Sequence, residues 1–175
     1  MPISTAWATN GKAPIKVRWV DINKGDDNHP EYRSRLVAKE IKTYRDNMLF
    51  AATPPWESIK VLLSLAVTQG HGFTNNAKDG KCIDHIDIRR AYFHAPAKRQ
   101  VFIELPDEDA APGMCGKLVK SMYGTRDAAE NWEAEYTDAL VNCGFVYGKA
   151  VSWAIHHPQR DMQAAAHGDD IVALG

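Results

Sequence analysis

The sequence predicts an α+β fold in which an antiparallel sheet packs on helices. Residues 83–88 alternate apolar and polar side chains, which is typical of a strand. Residues 126–143 repeat apolar side chains at three- and four-residue steps, which is typical of an amphipathic helix. Residues 165–175 place Gly and Asp between two short apolar segments, and this pattern predicts a tight β-hairpin.

The first half of the chain supplies a further hairpin and a further helix. Residues 16–23 and 32–40 are predicted strands, joined by the turn-rich segment 24–30. Thr53, Pro54 and Pro55 favour the start of a helix, and Gly70 favours its end. Helical spacing predicts that its core side chains are Ile59, Leu62, Leu63 and Ala66.

The second half adds strands around the long helix. Residues 101–105, 117–122, 151–156 and 162–166 are predicted strands, and 83–88 is expected to be a buried one. Residues 89–95 predict a helical turn that ends at Pro96. The apolar face predicted for the long helix consists of Ala129, Trp132, Tyr136, Leu140 and Cys143.

Composition excludes several classes of protein. The longest apolar run, residues 61–67, is too short to span a membrane, and the N-terminus has no signal-peptide pattern. Three cysteines without CxxC spacing predict free thiols in a reducing compartment. The net charge of −1 predicts weak non-specific binding to nucleic acid, although basic residues concentrate between Lys12 and Lys42.

Two adjacent aspartates, Asp169 and Asp170, occupy the predicted hairpin turn. Like charges held side by side are costly unless cations neutralise them, and Mg²⁺ prefers carboxylate oxygens. Asp87, at the end of the predicted strand 83–88, is a candidate third acid. A solvated Asp-Asp turn is the alternative. A site for a transition metal at His85, His94 or His167 is less favoured, because these histidines lack a recognised ligand spacing.

An ordered set of motifs resembles a copia-type retrotransposon reverse transcriptase. It extends from Trp19 to Gly175. The blocks in chain order are YRSRLVAK (32–39), IKVLLSLAVT (59–68), IDIRRAYF (86–93), VFIELP (101–106), KLVKSMYG (117–124) and HGDD (167–170).

The resemblance implies the fingers and palm of a right-hand polymerase, without a thumb. It places the N-terminal hairpin and fingers at 1–80, the first part of the palm at 81–95, more fingers at 96–130 and the rest of the palm at 131–175. The implied activity is RNA-directed DNA polymerase, a nucleotidyltransferase that uses Mg²⁺ or Mn²⁺. The implied partners are an RNA or DNA template-primer, dNTP and the remainder of a Pol polyprotein, with no membrane.

The resemblance also implies roles for individual residues. Asp87, Asp169 and Asp170 would hold the metals, and Tyr92 would pack under the sugar of the nucleotide. The backbone from Ile88 to Ala91 would lie near the triphosphate, which Arg33 and Arg35 would contact from the fingers. A solvated charged strand remains the alternative for Arg35, and plain core packing remains the alternative for Tyr92.

Three departures from the family pattern affect the expected activity. His167 and Gly168 precede the paired aspartates, where the family usually has an aromatic and a small apolar residue. Asp127 stands where the family has a Gln that contacts the nucleotide, and it would face phosphates unless Arg126 compensates. The sequence stops five residues after Asp170.

We therefore expect a reverse transcriptase fragment that is inactive or weakly active alone. A non-catalytic nucleic-acid-binding or assembly relic is the alternative, and a phosphate-ester hydrolase has no matching motif beyond the acids. The expected location is intracellular, either cytoplasmic in a virus-like particle or nuclear.

Overall fold

The computed structural model describes residues 1–41, 56–76, 79–148 and 154–175. The chain divides into two compact units. Unit 1 comprises Met1–Phe50 and Tyr92–Trp132, and unit 2 comprises Ala51–Ala91 and Glu133–Gly175. The predicted mixture of helices and antiparallel sheets is confirmed. The assignment of fingers and palm to parts of the chain stays a prediction.

The described residues form three α-helices, nine strands and two short 3-10 turns. The helices are α1 (Ile3–Asn10), α2 (Trp56–Val67) and α3 (Ala128–Asn142), and the 3-10 turns are Ala91–Phe93 and Asp107–Asp109. The strands are β1 (Val17–Asn23), β2 (Tyr32–Ala38), β3 (Ile83–Asp87), β4 (Phe102–Ile103), β5 (Gly116–Lys117), β6 (Val146–Tyr147), β7 (Ile155–His157), β8 (Met162–His167) and β9 (Asp170–Leu174).

Unit 1 is organised around the predicted hairpin of β1 and β2. The two strands pair antiparallel from Val17 opposite Ala38 to Asn23 opposite Tyr32. Ala38, Val101, Ile103 and Met122 form the buried core beside this hairpin. This core therefore joins the N-terminal hairpin to the later segment that contains β4 and β5.

Helix α1 was not predicted from the sequence. Its buried contact comes from Ala6, which packs with Phe102 and Cys115. Because a single small residue provides the buried face, the segment has no clear helical repeat of apolar residues.

Unit 2 contains a five-stranded antiparallel sheet in the order β3-β9-β8-β7-β6. Leu62 of α2 packs on the face that contains Ala165, Val172 and Leu174. Tyr136 and Leu140 of α3 pack on the opposite face, which contains Ile155, Ala164, Ala166 and Ala173. Side chains alternate between faces along a strand, so each helix covers one set of alternate residues.

Several predicted details are wrong. β3 was expected to be buried, but all five of its residues are exposed, because the described core side chains that pack with α2 and α3 come from β7, β8 and β9. Leu63 is 47% exposed because α2 packs through Leu62 and its neighbours Ile59, Leu65 and Ala66. Cys143 lies beyond the end of α3 and is exposed.

The remaining differences concern the bounds of two strands and one strand that was not predicted. The strands at 101–105 and 117–122 shrink to two residues each, and β6 was not predicted. The proposed helix start at 53–55 and the strand start at 151–153 lie outside the described residues. The described helices include none with the length and apolar character that a bilayer span requires.

Candidate active site

The predicted aspartate hairpin is present in unit 2. β8 and β9 are joined by Gly168 and Asp169, with His167 opposite Asp170 as the closing pair. Gly168 has a φ of 66° and Asp169 does not have a positive φ, and this combination is typical of a type II′ hairpin turn. Only Asp169 lies in the turn itself, because Asp170 is the first residue of β9.

Asp87 is the direct partner of Asp170 across the sheet. Residues opposite each other in an antiparallel pair have side chains on the same face, with Cβ atoms about 5 Å apart. The backbone N–H of Ile88 also donates to the carbonyl oxygen of Asp169 at 2.8 Å. The fold therefore brings Asp87 to the hairpin, although many residues separate them in sequence.

Histidines flank this pair of acids. Nε2 of His85 lies 3.4 Å from Oδ1 of Asp170, and both side chains remain substantially exposed, at 62% and 45%. The ring centroid of His167 lies 5.3 Å from that of Trp56 at the start of α2. Within the described ranges, no three His, Cys, Asp or Glu side chains are grouped closely enough to hold a metal ion by themselves.

A second cluster of predicted site residues lies in unit 1. The ring centroid of Tyr123 is 4.8 Å from that of Tyr92 and 5.6 Å from that of Phe93. The guanidinium carbon of Arg35 lies 5.2 Å from the Tyr123 ring centroid, within the range of a cation–π contact. Arg35 is therefore partly buried against an aromatic ring, whereas Arg33 is exposed.

Tyr123 was missed as a site residue. It belongs to the KLVKSMYG block that was matched to the family, so the motif contained the signal, but sequence could not show that Arg35 and Tyr92 share this ring. These contacts join residues that are distant in sequence. Only the fold determines them.

Asp127 is directed into unit 1 and is only 4% exposed. Its carboxylate accepts hydrogen bonds from Arg99 at 2.7 Å and from the side-chain amide of Asn131 at 3.0 Å. Burial by itself would raise the pKa of Asp127, but the hydrogen bond and positive charge of Arg99 bring this pKa below its ordinary value. Arg99 is thus a compensating cation for Asp127, and the sequence had offered only Arg126 for that role.

Arg99 joins two carboxylates. It donates two hydrogen bonds to Glu40, at 3.0 and 2.9 Å, in addition to its bond with Asp127. The two hydrogen-bonded carboxylates keep the pKa of Arg99 above its already high ordinary value. Arg99 and Glu40 were not predicted as site residues, because no local sequence pattern relates them to Asp127, which lies on a third segment.

The chain is similar to known proteins over most of its length. Residues 6–172 match the family described as "Reverse transcriptase (RNA-dependent DNA polymerase)". The chain is 27% identical over 134 residues to the retrovirus-related Pol polyprotein from transposon TNT 1-94 of Nicotiana tabacum. The aligned region covers 72% of this chain and 9% of the relative. It is 26% identical over 140 residues to the corresponding polyprotein from transposon RE1 of Arabidopsis thaliana, covering 75% of this chain and 9% of the relative.

The chain thus spans about a tenth of the length of these curated relatives. No solved structure matches it significantly.

Proposed function

Because this chain belongs to the reverse transcriptase family, we propose that it performs RNA-directed DNA synthesis by metal-dependent nucleotidyl transfer, as part of a copia-type Pol polyprotein. The observation that carries this proposal is the pairing of Asp87 with Asp170 at the base of the aspartate hairpin. Two carboxylates on neighbouring strands, with a third at the turn between strands, are suited to holding divalent cations beside phosphate groups.

The acids present fit Mg²⁺ or Mn²⁺. Asp87 is exposed and Asp170 is about half exposed, so both can reach a ligand. Mg²⁺ is usually held by one or two protein carboxylates together with substrate phosphates, so a third ligand in the free protein is not required. When bound, such ions neutralise the charge that develops on the transferred phosphoryl group. Asp87, Asp169 and Asp170 are the proposed metal-holding residues.

Residues of unit 1 are proposed to bind the incoming nucleotide. Tyr92, supported by Tyr123, would pack against the sugar, and Arg35 would approach the triphosphate while Arg33 supplies a second, exposed cation. In unit 2, the backbone from Ile88 to Ala91 is proposed to lie near the triphosphate. Arg90 there has a φ of 58°, an uncommon conformation for a residue other than glycine that often occurs at functional sites.

The proposed partners are an RNA or DNA template-primer, dNTP and other parts of a Pol polyprotein. The formal net charge of −1 limits sequence-independent attraction to phosphate backbones. We therefore expect low polymerase activity from this chain alone. Its proposed location is intracellular, in a cytoplasmic virus-like particle or in the nucleus.

Calorimetry of Mn²⁺ binding in the presence of dNTP tests the metal site. We expect uptake by the wild type and its loss in Asp87→Ala. Asp84→Ala is the matched control, because Asp84 lies on the same strand but pairs with Ala173 and points to the opposite face. Equal uptake by all three proteins would show that Asp87 and the hairpin do not form a metal site.

A non-catalytic nucleic-acid-binding module is the second candidate. The burial of Asp127 favours it, since the side chain at the position of the family's nucleotide-contacting Gln is bonded to Arg99. This candidate predicts primer-template binding that is unchanged by Mg²⁺ and by Asp169→Asn. Polymerase function predicts that both changes alter binding in the presence of dNTP.

A further inference from the structure

Unit 1 contains a basic cleft of about 840 Å³ that the predicted catalytic residues do not use. We propose that this cleft binds a compact polyphosphate anion. Five of its lining residues are cationic and one is anionic: Lys12, Lys16, Lys39, Arg99, Arg126 and Glu40.

Backbone contacts bring the basic residues to the same cleft. Lys12 follows the end of α1, where Gly11 adopts a φ of 62° and its N–H donates to the carbonyl oxygen of Trp7. The N–H of Lys39 donates to the carbonyl oxygen of Lys16 at 2.8 Å, which extends the β1–β2 pairing and places these lysines at the same level of the hairpin. Their positions are therefore fixed by the main chain.

Glu40 belongs to a charged trio in which Arg99 pairs with both Glu40 and Asp127, so the trio carries one net negative charge. Both carboxylate oxygens of Glu40 accept hydrogen bonds from Arg99, and one also accepts the backbone N–H of Arg126 at 2.8 Å. Lys12, Lys16 and Lys39 are exposed, and in the described part of the chain they form no ion pair. Three lysines therefore face one net negative charge of the trio, and the cleft retains excess positive charge.

The lining selects phosphate groups over bases. Among the described lining residues the aromatic one is Phe102, which is only 3% exposed. Single-stranded nucleic acid is usually held by exposed aromatic rings on which its bases stack, in addition to a basic groove. A cleft of this volume lies in the size range of small-molecule sites. Several closely spaced phosphates, as in tripolyphosphate or the triphosphate of a nucleotide, match its charge and size.

Binding of inorganic tripolyphosphate, measured by calorimetry in EDTA at low ionic strength, tests the proposal. The cleft variant Lys16→Gln/Lys39→Gln should bind at least about tenfold more weakly, because charge-assisted hydrogen bonds to phosphate are lost. The control variant Lys24→Gln/Lys117→Gln removes the same charge from exposed positions in unit 1 that do not line the cleft, and it should bind within about twofold of the wild type. Circular dichroism checks that both variants are folded.

Three results would overturn the proposal: no binding by the wild type, equal weakening in both variants, or displacement of tripolyphosphate by a single-stranded oligonucleotide at lower phosphate concentration. Competition by dATP against tripolyphosphate separates the two polyphosphate sources, and either order of affinity supports the site. EDTA removes any contribution from the acids around Asp87. Failure here is therefore distinguishable from failure of the proposed polymerase function.

Discussion

In unit 1 the carboxylate of Asp127 is buried between Arg99 and Asn131, whereas in unit 2 Asp87 and Asp170 are held side by side on neighbouring strands, accessible to solvent. The first arrangement pairs a charge with its opposite and satisfies its hydrogen bonds. The second places like charges opposite each other, which destabilises a sheet.

This difference separates a stabilising carboxylate from a candidate ligand-binding pair. A buried ion pair is costly to break, because its remaining charge has lost both water and partner. An exposed acid pair retains its hydration and its capacity to bind a cation. Residue type alone does not distinguish the two roles, since all three residues are aspartates near family motifs.

The largest predicted effect comes from the turns that flank these carboxylates. Gly124 in unit 1 has a φ of 85°, and a Cβ there would overlap the carbonyl oxygen of Ala38. We expect Gly124→Ala to lower the free energy of unfolding by about 3 kcal/mol or more, from backbone strain and overpacking together. Urea denaturation measures the loss.

Gly168→Ala is the matched control in unit 2. Gly168 also has a positive φ, 66°, but a Cβ there meets nothing within 4 Å. The expected loss is about 1 kcal/mol, from strain alone. Equal losses in the two variants would contradict the close approach of Gly124 to β2.

The next effect concerns the buried ion pair. Asp127→Ala should destabilise unit 1 by about 2 kcal/mol, less than a fully buried pair would lose, because Arg99 is 39% exposed and keeps Glu40. Chemical denaturation of the wild type and of the variant measures the difference. A loss below about 0.5 kcal/mol is in the range of an ordinary surface substitution, and it would show that the ion pair of Asp127 does not stabilise the fold.

The pH dependence of stability provides a second test of the buried pair between Asp127 and Arg99. The pKa of Asp127 is lower in the folded chain than in the unfolded one, so its contribution is complete above the unfolded value of about 3.9 and disappears as pH falls through the folded value. Asp127→Asn should therefore lose less stability than the wild type over this acid range. Denaturation midpoints at a series of pH values test the difference.

Asp161 in unit 2 provides the comparison for that measurement. Its pKa is also lowered, by a hydrogen bond and the charge of Lys81, but its side chain is exposed. Because salt screens exposed charges more than buried ones, added NaCl should suppress the effect of Asp161→Asn and leave most of that of Asp127→Asn. Equal sensitivity to salt would contradict the burial of Asp127.

The smallest predicted effect is a gain in stability. Asp87→Asn removes the like-charge contact with Asp170, so unit 2 should become more stable by about 0.5 kcal/mol in metal-free buffer. Thermal unfolding at low salt measures the gain, with Asp84→Asn as the control that removes the same charge from the opposite face. A loss of stability in Asp87→Asn would mean that this carboxylate stabilises the folded state, which contradicts unfavourable repulsion between Asp87 and Asp170.

Local patterns predicted much of the secondary structure and part of the candidate site. The alternation at 83–88, the Gly-Asp turn after His167 and the helical repeat around Trp132 each depend on a few neighbouring residues, and each is present in the structure. The two-residue strands β4 and β5 were overestimated because apolar runs show strand preference without showing how many residues find a partner.

Turn chemistry and residue alternation act over short distances, so local patterns predict the hairpin with Asp169 and Asp170, the strand that ends in Asp87, and the family to which their order belongs. The folded chain alone places Asp87 opposite Asp170, brings both Arg35 and Tyr92 against the Tyr123 ring, and pairs Arg99 with Asp127. Those contacts depend on strand register and on side chains from separate segments. No local pattern contains that information.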